Sequence, residues 1–134
     1  MNPYCLGKHI SDSMLPVVRD FLSVFGESLI VEERLMNAAT ALTAVGPTYI
    51  LPVIRALRDA SINMGLDERE AQMAAAQTVL GAASLVLETG IPPEELKMMI
   101  ATRTLNEPEA EKLFSQAVAE AYAKISGAEA KLIR

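Results

Sequence analysis

The stretch AQMAAAQTVLGAASLVL, residues 71–87, constrains this chain more than any other. Ala71, Ala74, Ala75, Ala76, Gly81, Ala82 and Ala83 leave a helix little side chain on any face. Small residues let helix backbones approach closely. A helix of this kind is expected to have protein around most of its circumference. Its ends are marked: Asp67 followed by Glu70 reads as a variant capping box, and Gly90 as a carboxy-terminal stop.

The segments around it read as helices too. Residues 1–10 read as an irregular arm, and Ser11, Asp12 and Ser13 offer caps for a first helix. Val17, Val18, Phe21, Leu22 and Phe25 follow at helical spacing, up to a stop at Gly26. SLIVEE, residues 28–33, is the one β-like segment, and with no second strand in view it is an orphan. Residues 32–44 make a second helix with Leu35, Met36, Ala39 and Leu42 on one face. Gly46-Pro47 breaks it, and Pro47 suits the first turn of a third helix running to about residue 64. Pro52 is expected to kink that helix mildly, with Ile50, Ile54, Leu57 and Ile62 facing inward. After the alanine-rich helix come a short helix opened by Pro92-Pro93, a loop at ATRTLNE, and a last helix from Asn106 to about Ser126. Phe114, Ala117, Val118, Ala121 and Ile125 form its apolar stripe, and a frayed tail follows Gly127. The fold class is all-α, with one short orphan strand near the amino terminus.

A chain of 134 residues suits one domain. Apolar residues make up 51% and aromatics only 4%, so the expected core is aliphatic, with the seven methionines as filler. Mean hydropathy is +0.24, more apolar surface than a small domain can hide alone, which points to self-association. The net charge of −5 argues against nucleic acid, which needs a basic face. The longest apolar run, residues 79–87, is well short of the roughly 18–20 residues that span a bilayer, so no membrane partner is expected. One cysteine excludes an intrachain disulfide and a cysteine metal cluster. With no apolar leader in MNPYCLGKHI, a cytoplasmic location is expected.

Reactive chemistry is sparse. Neither G-x-G-x-x-G nor G-x-x-x-x-G-K-[ST] occurs, and no alternation of strands and helices supports a doubly wound sheet. The single histidine, His9, reads as a surface residue, and Cys5 has only Lys8 nearby to activate it. Glu32-Glu33 and Asp67-Glu68 sit at helix starts, where negative charge is favoured, so they read as caps rather than an acid–base pair. On the residues alone the chain is a helical, oligomeric domain with no catalytic residue and no metal site.

Residues 18–100 nevertheless resemble the carboxy-terminal half of pyrroline-5-carboxylate reductase, with weaker matching on to about residue 126. That family carries a stretch like E-x-x-x-D-A-V-T-A-L-S-G-S-G-P-A-Y, then a long helix and G-[LI]-x-x-x-x-A. A-x-Q-T-x-x-G-A-A and [ST]-G-x-x-P-x-x-L follow. Thr40-Ala41-Leu42, Gly46-Pro47, Tyr49, Gly65-Leu66, Ala71, Gln77-Thr78, Gly81-Ala82-Ala83, Gly90, Pro93 and Leu96 stand in the matching places. The resemblance implies that residues 1–31 are the end of a dinucleotide-binding Rossmann domain and residues 32–134 a helical dimerisation domain. It implies NAD(P)H as the cofactor of a complete enzyme, bound upstream of Met1 or on a separate Rossmann polypeptide, with none bound by this chain. The partner is a second copy, and the activity is reduction of an imine to proline.

Two departures bear on the substrate side. The family's serine-rich turn is Thr43-Ala44-Val45 here, with an isopropyl group in place of a hydroxyl at Val45. A second family signature, V-T-S-P-G-G-T-T, holds the substrate carboxylate. Ile100-Ala101-Thr102-Arg103-Thr104-Leu105-Asn106 stands there, without the glycines whose freedom of φ lets consecutive N–H groups converge. The resemblance leaves Thr43, Gly46, Thr102, Arg103 and Thr104 as candidate substrate-binding residues. The alternative is a stand-alone, non-catalytic homodimer that kept the interface and lost the enzyme.

Overall fold

The computed structural model describes residues 1–132, apart from the Asp12 side chain. Two compact units emerge, Met1–Pro47 with Glu111–Arg134, and Thr48–Ala110.

In the first unit, β1 (Asn2–Tyr4) lies parallel to β2 (Ser28–Ile30), with Asn2 opposite Ser28 and Tyr4 opposite Ile30. The strand read as an orphan therefore has a partner, and it lies in the arm read as irregular. Asn2 and Pro3 are poor strand formers, so three residues of such composition leave little trace in a sequence. The Asn2 backbone N–H donates to the Glu27 carbonyl at 2.8 Å, and its side-chain amide donates to the Phe25 carbonyl at 3.0 Å. Between the strands runs α1 (Leu15–Ser23). No side chain caps it: the Ser11 and Ser13 hydroxyls bond each other at 2.8 Å, and the capping expected of Asp12 lies outside the described residues. The helix ends at Ser23, and the chain then turns into β2 through Gly26 at φ +100°, a value that glycine alone adopts readily. Its apolar face is open to solvent. Phe21 and Phe25 pack edge to face at 5.4 Å, yet each is 64% exposed.

A short 3-10 turn, Glu33–Leu35, leads into α2 (Met36–Thr43), which packs on β1. Glu32 is extended and begins that turn, but its side chain does not cap it as expected: the Glu32 carboxylate accepts from Arg34 Nε at 2.6 Å instead. The Asn37 amide on α2 donates to Ser126 Oγ at 3.3 Å and Glu129 Oε2 at 2.5 Å on α6 (Glu107–Leu132). The expected stripe of α6, Phe114, Ala117, Val118, Ala121 and Ile125, is half-buried along its length. The helix continues through Gly127 to Leu132, a full turn past its expected end. The rest of the expected tail, residues 133–134, lies outside the described residues.

The second unit holds most of α3 (Gly46–Asn63), then α4 (Glu68–Thr89) and α5 (Pro93–Met98). Pro52 lies inside α3 without interrupting it. Gly65, at φ +109°, turns the chain after α3, and the Leu66 N–H closes back on the Ser61 carbonyl at 3.1 Å. Asp67 then caps α4, its carboxylate accepting from the Glu70 N–H at 2.8 Å. Gly90, at φ +66°, ends α4 with its N–H on the Val86 carbonyl.

The side chains expected inside are not inside. Among the described residues the buried hydrophobics are Ala41, Ala71 and Ala75 only. Ile50, Leu57 and Ile62 of α3 are exposed, as are Met64, Met73, Met98 and Met99, so the methionines are not core filler within this protomer. Nor is α4 surrounded by its own chain. The surface totals 10694 Å². A compact protein of this mass exposes about 6,800 Å², and two separate compact bodies of half the mass about 8,200 Å².

By length and composition alone the stretch Glu33–Asn63 is apolar enough to cross a membrane, which the run-length reading missed. The stretch is broken between α2 and α3, and Arg55, Arg58 and Asp59 stand in its last turns.

Replacing the α4 cap tests the local account directly. Asp67→Ala is expected to destabilise the fold by about 1 kcal/mol, read as a lower urea midpoint with an unchanged slope.

Candidate substrate corner and subunit interface

The corner between α2 and α3 is two residues long. The Ala44 N–H closes α2 on the Thr40 carbonyl at 3.0 Å, and Gly46 already belongs to α3. Gly46 does not make this corner through glycine's conformational freedom. Its φ is not in the left-handed region, where only Gly26, Gly65 and Gly90 lie, and a Cβ built on it meets nothing within 4 Å. The turn itself does not require glycine. What its absence of side chain provides is open space at the start of α3. Thr43 stands one turn before. Its hydroxyl donates to the Ala39 carbonyl at 2.9 Å, so its oxygen keeps lone pairs for an incoming donor while its proton is committed.

The other candidates share the irregular segment between α5 and α6. Thr102, Arg103 and Thr104 are all exposed. Arg103 Nη1 lies 2.9 Å from the Met98 sulfur, a neutral and weak acceptor that leaves the guanidinium charge uncompensated by that contact. At the base of the segment Lys97 Nζ bonds Glu107 Oε2, joining the end of α5 to the first turn of α6. Sequence reading missed this pair because ten residues and a change of element separate its members. Thr43 and Gly46 belong to the first unit and Thr102, Arg103 and Thr104 to the second.

Other reactive groups lead to no site. His9 is exposed. Cys5 lies beside an open cleft of about 550 Å³ with Leu6, Ile30, Val31 and Leu35. Among the described residues no group of three or more histidine, cysteine or carboxylate side chains is placed to hold a metal.

The larger feature is apolar surface. In the first unit, Ala38, Ala41, Phe114, Val118 and Tyr122 line an open cleft of about 590 Å³ between α2 and α6. In the second, Leu80, Leu85 and Leu87 of α4 face solvent, the last at 82% exposure, and a Cβ built at Gly81 meets nothing within 4 Å. Both units therefore present helix faces that their own chain leaves uncovered.

Comparison with known proteins gives these faces a context. The family model described as pyrroline-5-carboxylate reductase dimerisation matches residues 33–128. Pyrroline-5-carboxylate reductase of Methanosarcina acetivorans is 43% identical over 96 residues, covering 72% of this chain and 36% of that protein. The Escherichia coli reductase is 34% identical over 112 residues, 80% of this chain and 42% of that protein. The chain thus spans well under half the length of these curated relatives. Among solved structures, the Plasmodium falciparum reductase with NADP bound matches with a TM-score of 0.80 at 24% identity, over 93% of this chain and 54% of that one. The Coxiella burnetii reductase matches with a TM-score of 0.81 at 23% identity, over 93% and 50%. A match over 93% of the chain takes in most of residues 1–32 as well as the helices. From residue 33 to residue 128 the sequence is that of a dimerisation domain, and the chain belongs to the pyrroline-5-carboxylate reductase family.

Proposed function

We propose that this chain is the dimerisation and substrate-side part of a pyrroline-5-carboxylate-reductase-like oxidoreductase, acting as a homodimer. The observation that carries the reading is the uncovered apolar surface of the helices that the family model matches. At 10694 Å², the surface exceeds that of two separate compact bodies of half the mass by about 2,500 Å². Obligate interfaces bury about 2,000–5,000 Å² in total, or about 1,000–2,500 Å² per partner, which accounts for an excess of that size. The same argument favours a protein partner over a membrane for the apolar Glu33–Asn63 stretch, and the net charge of −5 disfavours nucleic acid. A cytoplasmic location goes with this reading.

A single glycine, Gly7, stands between β1 and α1, where a phosphate-binding turn needs several. Residues 1–31 read as the end of a Rossmann domain and residues 32–134 as the dimerisation domain. The nicotinamide cofactor, NAD(P)H in the complete enzyme, is held by another domain, either in the same gene product or on a separate Rossmann polypeptide. What this chain contributes is orientation of a small cyclic imino acid. Thr43 offers an acceptor oxygen beside Gly46, where no side chain stands. Arg103, flanked by Thr102 and Thr104, offers the charge for a carboxylate that the family's glycine-rich signature would otherwise hold.

One observation favours the second reading, a non-catalytic dimer. The segment at 101–106 has no glycine, and the Arg103 guanidinium rests on a sulfur within its own segment. Calorimetric titration with proline separates the two readings. The enzymatic reading expects millimolar or tighter binding that is lost in Arg103→Ala. The absence of heat at saturating proline supports the bare dimer.

Self-association is tested apart from ligand binding. Light scattering at micromolar concentration is expected to give twice the 14.4 kDa chain mass, and a folded monomer would sink the proposal. Gly81→Leu sharpens the test. In an exposed helix the change is favourable, because glycine costs about 1 kcal/mol there. Against a closely packed second backbone it is expected to weaken the dimer at least about tenfold, or about 1.4 kcal/mol.

A further inference from the structure

We infer that the Lys97–Glu107 ion pair is a clasp that sets the 99–106 segment and, through it, the position of Arg103. The inference about Arg103 rests on the substrate-side reading above; the clasp itself does not. The segment lacks the glycines that would fix a backbone nest. Its own backbone bonds stop at the Met99 N–H on the Leu96 carbonyl and the Ile100 N–H on the Lys97 carbonyl, and resume at the Ala110 N–H on the Asn106 carbonyl. Lys97 Nζ and Glu107 Oε2 bond across that gap. Their side chains are 38% and 34% exposed, less open than the Glu32–Arg34 pair at 65% and 71%, so water screens the contact less. Glu107 also lies in the first turn of α6, where the helix dipole supports its charge. Within the closed segment, Arg103 reaches back only five residues, to the Met98 sulfur beside Lys97. The cation is thereby held at the foot of the loop by a neutral contact, and Lys97, neutralised by Glu107, does not compete with it for an anion. Lys97 and Glu107 are positioning residues on this account, and neither touches a ligand.

The experiment is amide exchange by NMR on the full chain, comparing wild type, Lys97→Met, Glu107→Gln and the double variant. A clasp couples the two ends of the gap. Each single change is expected to speed exchange about threefold to fivefold at Met99 and Ile100 on α5 and equally at Ala110 on α6, and the double variant to be no faster than either single. Purely local roles would confine Lys97→Met to α5 and Glu107→Gln to α6 with additive effects, and that result overturns the clasp. Proline titration of the same proteins tests the consequence for Arg103. Affinity weakened about threefold or more in Lys97→Met, with the Arg103→Lys protein retaining part of the wild-type affinity, supports it. Unchanged affinity beside coupled exchange overturns the positioning of Arg103 and keeps the clasp. If wild type itself binds no proline, the substrate-side reading fails and the exchange data still decide the clasp.

Discussion

The protomer cannot bury its own apolar side chains, and most of its other properties follow from that. Its fully buried hydrophobic residues among those described are three alanines. Burial contributes roughly 25 cal/mol per Å², so a chain whose leucines, isoleucines and phenylalanines are at best half-buried forgoes much of the usual driving force for folding. Helix propensity, caps and turns offset little of that. On the dimer reading the stabilising contacts come from outside the protomer, which makes stability and assembly one equilibrium rather than two. The family's description as a dimerisation domain and the surface area of the single chain lead to this point independently.

Local chemistry was the most legible part of the sequence. Asp67 and Glu70 announce the start of α4, and Gly65 and Gly90 announce the ends of α3 and α4, because caps and left-handed turns depend on neighbours within a few residues. The α6 stripe was legible for the same reason: a 3.6-residue period marks the half-buried face whatever covers it. The partner of β2 was not legible. Pairing of Asn2 with Ser28 is non-local, and nothing in the composition of MNPY favours a strand. The inward faces assigned to α3 and to the methionines failed for another reason. Periodicity says which face avoids water, but not whether the cover belongs to the same chain.

The candidate site was legible only through family resemblance, and the structure redistributes the roles given to its members. Thr43 spends its proton on its own helix, Gly46 is a helix residue rather than a turn residue, and Arg103 rests on sulfur. The contact that organises the segment around Arg103, Lys97 with Glu107, lay outside the resemblance. Motifs carry residues that meet a ligand; they do not carry the pairs that hold such residues in place.

The glycines make the same distinction at atomic scale. Gly26, Gly65 and Gly90 have φ values that explain them locally. Gly46, Gly81 and Gly127 lie in helices with ordinary φ and open space where a Cβ would stand. Inside a helix each costs about 1 kcal/mol relative to alanine, and no contact within the protomer offsets that cost. On the dimer reading the offset at Gly81 is the close approach of a second backbone. A glycine that its own chain does not require then marks a place where something other than that chain is meant to stand.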